Sequence, residues 1–243
     1  MPVYELLLGA LSVLAGGVAA LAGFGIGSLL TPALAVTLGT RLAVAVVSVP
    51  HIVATAYRLW LLREAVDRRV LLTFGLASAA GGLAGAVIHG FASSPLLSIV
   101  LGALLIVAGT SELIGLLRHV QIGGRMALAA GLLSGVFGGL VGNQGGIRSA
   151  ALLRFDLSGQ ALVATATATA LLVDLARMPV YLLTTGAEVL EQWPLVLLLT
   201  VGVLVGTVVG APILKRLPDA VFRRLLALLL IVLGVALVLG VGG

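Results

Sequence analysis

The sequence contains no cysteine, which excludes disulfide bonds, thiolate metal sites and cysteine nucleophiles. Its three histidines are scattered, so neither a metal centre nor a bound cofactor is expected. Charged residues make up only 9% of the chain and aromatic residues 5%, whereas 60% are hydrophobic and the mean hydropathy is +1.26. A soluble domain of 243 residues has no interior large enough for so many apolar side chains. The composition therefore predicts an integral membrane protein.

Apolar segments follow one another along the whole chain, and a membrane helix needs about 20 such residues. They form two series of five: 4–22, 24–38, 42–62, 70–91 and 96–117, then 126–141, 147–155, 161–183, 194–214 and 225–239. The second segment of each series is short and follows glycines, which indicates a broken or re-entrant helix. We expect an all-α polytopic membrane protein with about 8 to 10 membrane segments, short broken or re-entrant helices included.

The two series align at one constant offset without gaps through their third segments, and 104–109 matches 229–234 at a slightly larger offset. The matches pair like residues: Gly16 with Gly135, Gly23 with Gly142, Gly27 with Gly146, and Arg58 with Arg177. Repetition of this kind predicts a duplicated unit. The two structurally related halves would be 1–118, the first transmembrane repeat, and 119–243, the second, within one integrated membrane domain.

Arginine and lysine crowd three connections, at 58–69, 118–125 and 215–224. Basic loops favour the cytoplasmic side, so this pattern accounts for the net charge of +5 without a nucleic-acid partner. The uncharged loop at 92–95 and the acidic one at 188–192 then belong outside. All five loops lie on their expected sides if each half crosses the membrane an odd number of times. The halves are then inverted repeats, with both termini outside. Hydropathy alone also permits eight crossings, which the charges disfavour.

Two groups of residues are predicted to have structural roles. The glycine spacings Gly81/Gly85 and Gly202/Gly206/Gly210 are typical of seams where membrane helices pack closely. The rings of Trp60, Tyr181 and Trp193 are interpreted as anchors at the membrane surface.

The strongest functional pattern is a glycine-rich break in each half, at 23–27 and at 142–146. Glycine lets the chain leave the helix, and the helix that begins next presents unpaired N–H groups and a positive dipole end to an anion. The candidate substrate-binding residues are Gly23, Gly25, Gly27, Gly142, Asn143, Gln144, Gly145, Gly146 and Arg148. The alternative is a glycine-lined helix crossing without a ligand.

Arg148 follows the second break and would bring a guanidinium suited to forked contact with an oxyanion. Asn143 and Gln144 would add amide donors beside it. An arginine inside an apolar segment costs roughly 2.5 to 3.5 kcal/mol on insertion scales, so it needs compensation. The alternatives for Arg148 are an arginine that reaches the membrane surface and a partner for Asp156.

Four further residues are candidates for coupling or gating. Asp174 and Arg177 stand three positions apart on one helix and are expected to form a structural ion pair. Arg58 matches Arg177 but has Thr55 in place of the aspartate, which leaves it as an interfacial charge or a gate. His51 could change charge near neutral pH, although a lone histidine is more often a packing residue.

In each half a helix, a glycine cluster, a short segment and an Ala/Ser/Thr-rich helix follow in order. The short segments end in Pro32-Ala33-Leu34 and Ala151-Leu152-Leu153, and the small-residue helices lie at 43–48 and 161–169. Over nearly its whole length the sequence resembles the TauE/SafE family of membrane permeases, the sulfite exporters. The resemblance implies secondary transport, without ATP, of sulfite, organosulfonates or related sulfur-containing anions.

The expected function is therefore a secondary permease for such an anion in the cell inner (plasma) membrane, with lipid and a small anion as partners. Each negative charge that leaves a cell with a negative interior gains about 2.3 kcal/mol per 100 mV, so export needs no coupling. Uptake would need a coupling ion such as a proton. The sequence also permits a homodimer. The alternatives are an anion channel, a permease for another small organic anion and, less favoured, an intramembrane enzyme, since no nucleophile with a base is recognisable.

Overall fold

The structure is a computed structural model, and it describes residues 2–115, 124–143, 145–152, 155, 157, 159–214, 216 and 218–240. The described residues form helices and no strand. The helices are α1 (Pro2–Ala22), α2 (Ile26–Leu62), α3 (Arg68–Val70), α4 (Leu76–Phe91), α5 (Ser94–Ile114), α6 (Gly124–Val141), α7 (Gly145–Leu152), α8 (Gly159–Glu191), α9 (Trp193–Val205), α10 (Ala211–Leu214) and α11 (Asp219–Val238). Single π-helical turns join α3 to α4 and α9 to α10.

Within the described ranges, seven helical spans are long and apolar enough to cross a membrane, and the shorter apolar helix Met126–Val141 accompanies them. Large apolar side chains remain exposed along these spans, as a lipid-facing surface requires. The predicted all-α polytopic membrane fold is confirmed.

Helices α1 and α6 end at the two predicted breaks. After α1, Gly23 has φ +77° and Gly25 has φ +138°, and after α6, Gly142 has φ +71°. Side chains with a Cβ rarely adopt such angles, so glycine is what allows the chain to turn there. Helix resumes at Ile26 in one case and at Gly145 in the other.

Helix α2 is bent within its length, because Gly39 has the non-helical angles φ 72° and ψ 152°. The part before this bend is the predicted short second segment. The Tyr4 hydroxyl lies 2.8 Å from the Thr37 hydroxyl, so the short part of α2 folds back along α1. In the second half of the chain α7 is the short helix, and it begins and ends a few residues earlier than the predicted segment at 147–155.

The first helix of each predicted half packs against the fourth segment of the other half. Gly9 of α1 faces Leu198 and Gly17 faces Gly210, so α1 and α9 run in the same direction. In the same way, α6 runs beside α4 and in the same direction. A Cβ at Gly81 or Gly85 would overlap the backbone of α6, and one at Gly206 would overlap that of α1. The predicted glycine seams are therefore real packing surfaces.

The third and fifth segments instead pair with their own counterparts in opposite directions. On α5 and α11, Gly102 faces Gly234 while Gly109 faces Ala227. Helices α2 and α8 are also antiparallel, because His51 meets Asp174 near their middle whereas the connection just after α2 meets the beginning of α8. Two inverted halves would make such contacts. The repeat itself, and its boundary between 118 and 119, stay predictions.

The three predicted surface anchors have different outcomes. Trp60 and Trp193 are exposed, at 61% and 63%. For Tyr181 the prediction is wrong, because its side chain is 1% exposed and its hydroxyl donates to the Gly139 carbonyl at 2.5 Å. A buried tyrosine is tolerated where its hydroxyl finds an acceptor.

We predict that Gly85→Ala and Gly206→Ala each lower the stability of the purified protein by roughly 1 to 3 kcal/mol, because the added methyl group must displace a neighbouring backbone. Thermal unfolding followed by size-exclusion chromatography in detergent measures the effect. Gly186→Ala is the matched control, since the nearest atom to its Cβ position is 3.9 Å away. Equal melting temperatures for all three variants would contradict the packing described here.

Candidate functional site

The two glycine breaks lie against each other in the structure. The Cβ position of Gly27 overlaps the carbonyl oxygen of Gly142, and that of Gly145 overlaps the side chain of Phe24. The Ser28 hydroxyl also donates to Asn143 Oδ1 at 3.3 Å. Residues far apart in sequence thus bring the two interrupted backbones into direct contact, and only glycine fits at the closest points.

Arg148 crosses from the second break to the first. Its side chain is 2% exposed, and Nη2 donates to the carbonyl of Gly23 at 3.2 Å. Nε and Nη1 are buried and have no hydrogen-bond partner among the described residues. The interpretation as an arginine that reaches the membrane surface is wrong for this reason. Its alternative partner Asp156 lies outside the described residues.

Arg58 and Arg177 occupy matching places at the ends of the two interrupted helices. Arg58 Nη1 donates to the carbonyl of Ala19 in α1, and Arg177 Nη1 donates to that of Gly138 in α6 at 2.7 Å. These two carbonyls also accept the backbone N–H groups of Gly23 and Gly142, so each guanidinium is a second donor near the negative dipole end of a helix. Arg58 is 7% exposed, so its interpretation as an interfacial charge is wrong.

Asp174 binds two partners, a guanidinium and an imidazole. Its Oδ1 lies 2.8 Å from Arg177 Nη2, which confirms the predicted ion pair, and its Oδ2 lies 2.6 Å from His51 Nδ1. The carboxylate is 0% exposed. His51 is therefore not a lone packing residue, since it links α2 to the ion pair on α8. The four candidate coupling or gating residues belong to one cluster.

The end of α6 is held by two further side chains that sequence analysis did not assign to the site. The Tyr181 hydroxyl binds the Gly139 carbonyl, and His89 Nδ1 lies 2.8 Å from the carbonyl of Leu140. Three successive carbonyls of this helix end thus each receive a side-chain donor. The four-residue spacing of Tyr181 from Arg177 indicates a shared helix face, which could have suggested a shared role. Nothing in the sequence around His89 points to α6.

The remaining predicted residues surround the same contact. A Cβ on Gly142 would lie 3.5 Å from Arg177 Nη1 and 3.9 Å from the Thr31 hydroxyl, which is itself buried without a partner in the described part of the chain. Gly146 lies in α7, whereas Gln144 lies outside the described residues. Over the same described part, no three His, Asp or Glu side chains gather as a metal site requires.

The charges of this cluster do not cancel. Among the described residues, the buried ionised side chains are three guanidinium groups and one carboxylate: Arg58, Arg148, Arg177 and Asp174. Buried charge without a partner is unstable by several kcal/mol, so the excess favours an incoming anion.

A family model described as sulfite exporter TauE/SafE matches residues 8–237, which include both breaks and the whole charged cluster. The chain belongs to the TauE/SafE family. Comparisons with curated proteins and with solved structures found no match. TauE/SafE proteins are membrane exporters of sulfite and related sulfur anions, so the chain is a multi-pass membrane protein of a transporter family.

We predict that Asp174→Asn destabilises this TauE/SafE protein by about 3 to 5 kcal/mol, because it leaves the buried guanidinium of Arg177 without its counter-charge. The double variant Asp174→Asn/Arg177→Gln should lose less than the sum of its single variants, since it removes both ends of the ion pair. Thermal unfolding of the purified proteins measures all three losses. Strictly additive losses would show that the two side chains do not act as a pair.

Proposed function

We propose that the protein is a secondary permease that carries a small sulfur-containing oxyanion, such as sulfite or an organosulfonate, out across the inner membrane by alternating access. The observation that carries this proposal is Arg148, buried at the contact between the two breaks with two nitrogen atoms unpartnered. Each of these N–H groups is a charge-assisted donor that suits an oxygen atom of an oxyanion.

The surroundings of Arg148 supply further groups for an anion. Ser28 and Asn143 bind each other across the breaks, so both side chains can exchange this bond for one to a ligand. The Thr31 hydroxyl is a free donor on the short part of α2. The first N–H groups of α2 and α7 lie beside the same contact and add their dipoles to the arginine charge.

Contact between the breaks supports a carrier over a channel. Gly27 packs on the carbonyl of Gly142 and Gly145 packs on Phe24, so the halves must separate at this contact to admit an anion. A channel would need a route that remains open at both ends, whereas a carrier opens one side at a time.

Export follows from the charge of the substrate. In a cell with a negative interior, an anion gains about 2.3 kcal/mol per charge and per 100 mV as it leaves. Uptake is the alternative, with a proton as coupling ion. The hydrogen-bonded pair His51 and Asp174 would then carry the proton. The contacts of the site all lie within one chain, so the proposed transport does not depend on a dimer. A homodimer is a separate proposal.

We predict that Arg148→Ala lowers sulfite flux into proteoliposomes by roughly tenfold or more, because charge-assisted hydrogen bonds to the anion are lost. Arg223→Gln is the matched control. It removes an equal charge from a pair with Glu112 in which the arginine side chain is 47% exposed. The same flux in the parent and in Arg148→Ala would remove Arg148 from the binding site.

We further predict that an imposed membrane potential drives sulfite flux in the parent while a pH gradient alone does not. A potassium gradient with valinomycin sets the potential, and paired buffers set the pH difference. Flux driven by the pH gradient would instead support the proton-coupled alternative, which His51→Gln should then abolish with little change in exchange flux.

A further inference from the structure

The positive groups at the two helix ends are compensated unequally. Arg177 forms an ion pair with Asp174 at 2.8 Å. Arg58 and Arg148 both lie at the end of α1, where they bind the carbonyls of Ala19 and Gly23. Arg58 also donates to the neutral hydroxyl of Thr55. Neither guanidinium therefore has a carboxylate within the described contacts.

The charges of Arg58 and Arg148 also act on each other and on Asp174. With three guanidinium groups, one carboxylate and a neutral His51, the buried cluster has a formal charge of +2 among the described residues. A protonated His51 would raise the excess further. The dipole of α1 contributes only about half a negative charge at its end. Most of the two positive charges therefore has no counter-charge among the residues that the structure describes.

We infer that the site selects an oxyanion with two negative charges over one of similar size with a single charge. This inference rests on the proposed function and narrows its substrate class, which includes both doubly charged sulfite and singly charged organosulfonates. A doubly charged anion cancels the formal charge of the cluster, whereas a singly charged one leaves a buried positive charge uncompensated.

Arg148 sets this selectivity because it has no counterpart in the first half. At the constant offset that pairs Arg58 with Arg177, Arg148 pairs with Leu29. Arg58 and Arg177 bind helix ends in matching ways and each have one unpartnered nitrogen atom, whereas Arg148 has two for the ligand. Removal of its charge leaves a cluster of formal charge +1, which a singly charged anion balances.

Sulfate and methanesulfonate are the probes for this inference. They have a similar tetrahedral shape, and a methyl group replaces one oxygen, so that the charge falls from two to one at every pH of interest. Isothermal titration of the purified full chain in detergent measures both affinities. We expect the parent to bind sulfate roughly tenfold or more tightly than methanesulfonate. In Arg148→Gln the ratio should fall to about one or reverse.

Two variants complete the design. Arg148→Lys keeps the charge and should keep the preference for sulfate, even with weaker binding of both anions. Arg223→Gln removes a charge at the partly exposed pair with Glu112 and should leave the ratio unchanged. If Arg148→Gln does not fold, the ratios in the parent and in Arg148→Lys decide the question.

Equal affinities in the parent, or tighter binding of methanesulfonate, would overturn the inference and leave the proposed permease intact. If the ratio of sulfate to methanesulfonate affinity is unchanged in Arg148→Gln, Arg148 does not set the charge selectivity. If the parent neither binds these anions nor transports sulfite, the proposed function itself fails.

Discussion

Satisfaction of the carbonyl groups at two interrupted helix ends is the constraint on which this structure depends. A helix that stops within a bilayer exposes carbonyls that water cannot reach, and each unsatisfied group costs several kcal/mol. Here Arg148 binds the carbonyl of Gly23 just beyond the end of α1. Arg58 and Arg177 each give a second donor to a carbonyl, one in α1 and one in α6, that already accepts a backbone N–H. Tyr181 and His89 complete the end of α6.

This solution introduces a second problem, since it buries charge. Asp174 neutralises Arg177 directly and connects to His51 on α2, so that one carboxylate joins two long antiparallel helices. Glycine then allows the helices to approach closely enough for short side-chain contacts, as at Gly85 and Gly206. The charged cluster and the close packing of small residues are parts of one arrangement.

The two halves of the chain share a scaffold but differ in charge. Arg58 and Arg177 match in position and in role, whereas Asp174 matches Thr55 and Arg148 matches Leu29. These differences carry the proposed function, because they leave positive charge at the contact between the breaks. In the proposed alternating access, matched halves would open the site to either side, and the unmatched charges would determine what it holds.

Sequence alone determined those features that depend on local pattern. Hydropathy predicted the membrane helices, clusters of glycine predicted both breaks, and the three-residue spacing of Asp174 and Arg177 predicted their pair. Such features arise within one or two helical turns, so neighbouring residues contain the information.

Tertiary structure decided which distant groups meet. His51 reaches Asp174 across 123 positions and Arg148 reaches Gly23 across 125, while Tyr181 lies inside the protein rather than at the membrane surface. No periodicity encodes these contacts, because they depend on how whole helices pack. The residue pattern of a helix indicates which face is buried, but only the packed bundle determines which carbonyl or carboxylate lies opposite that face.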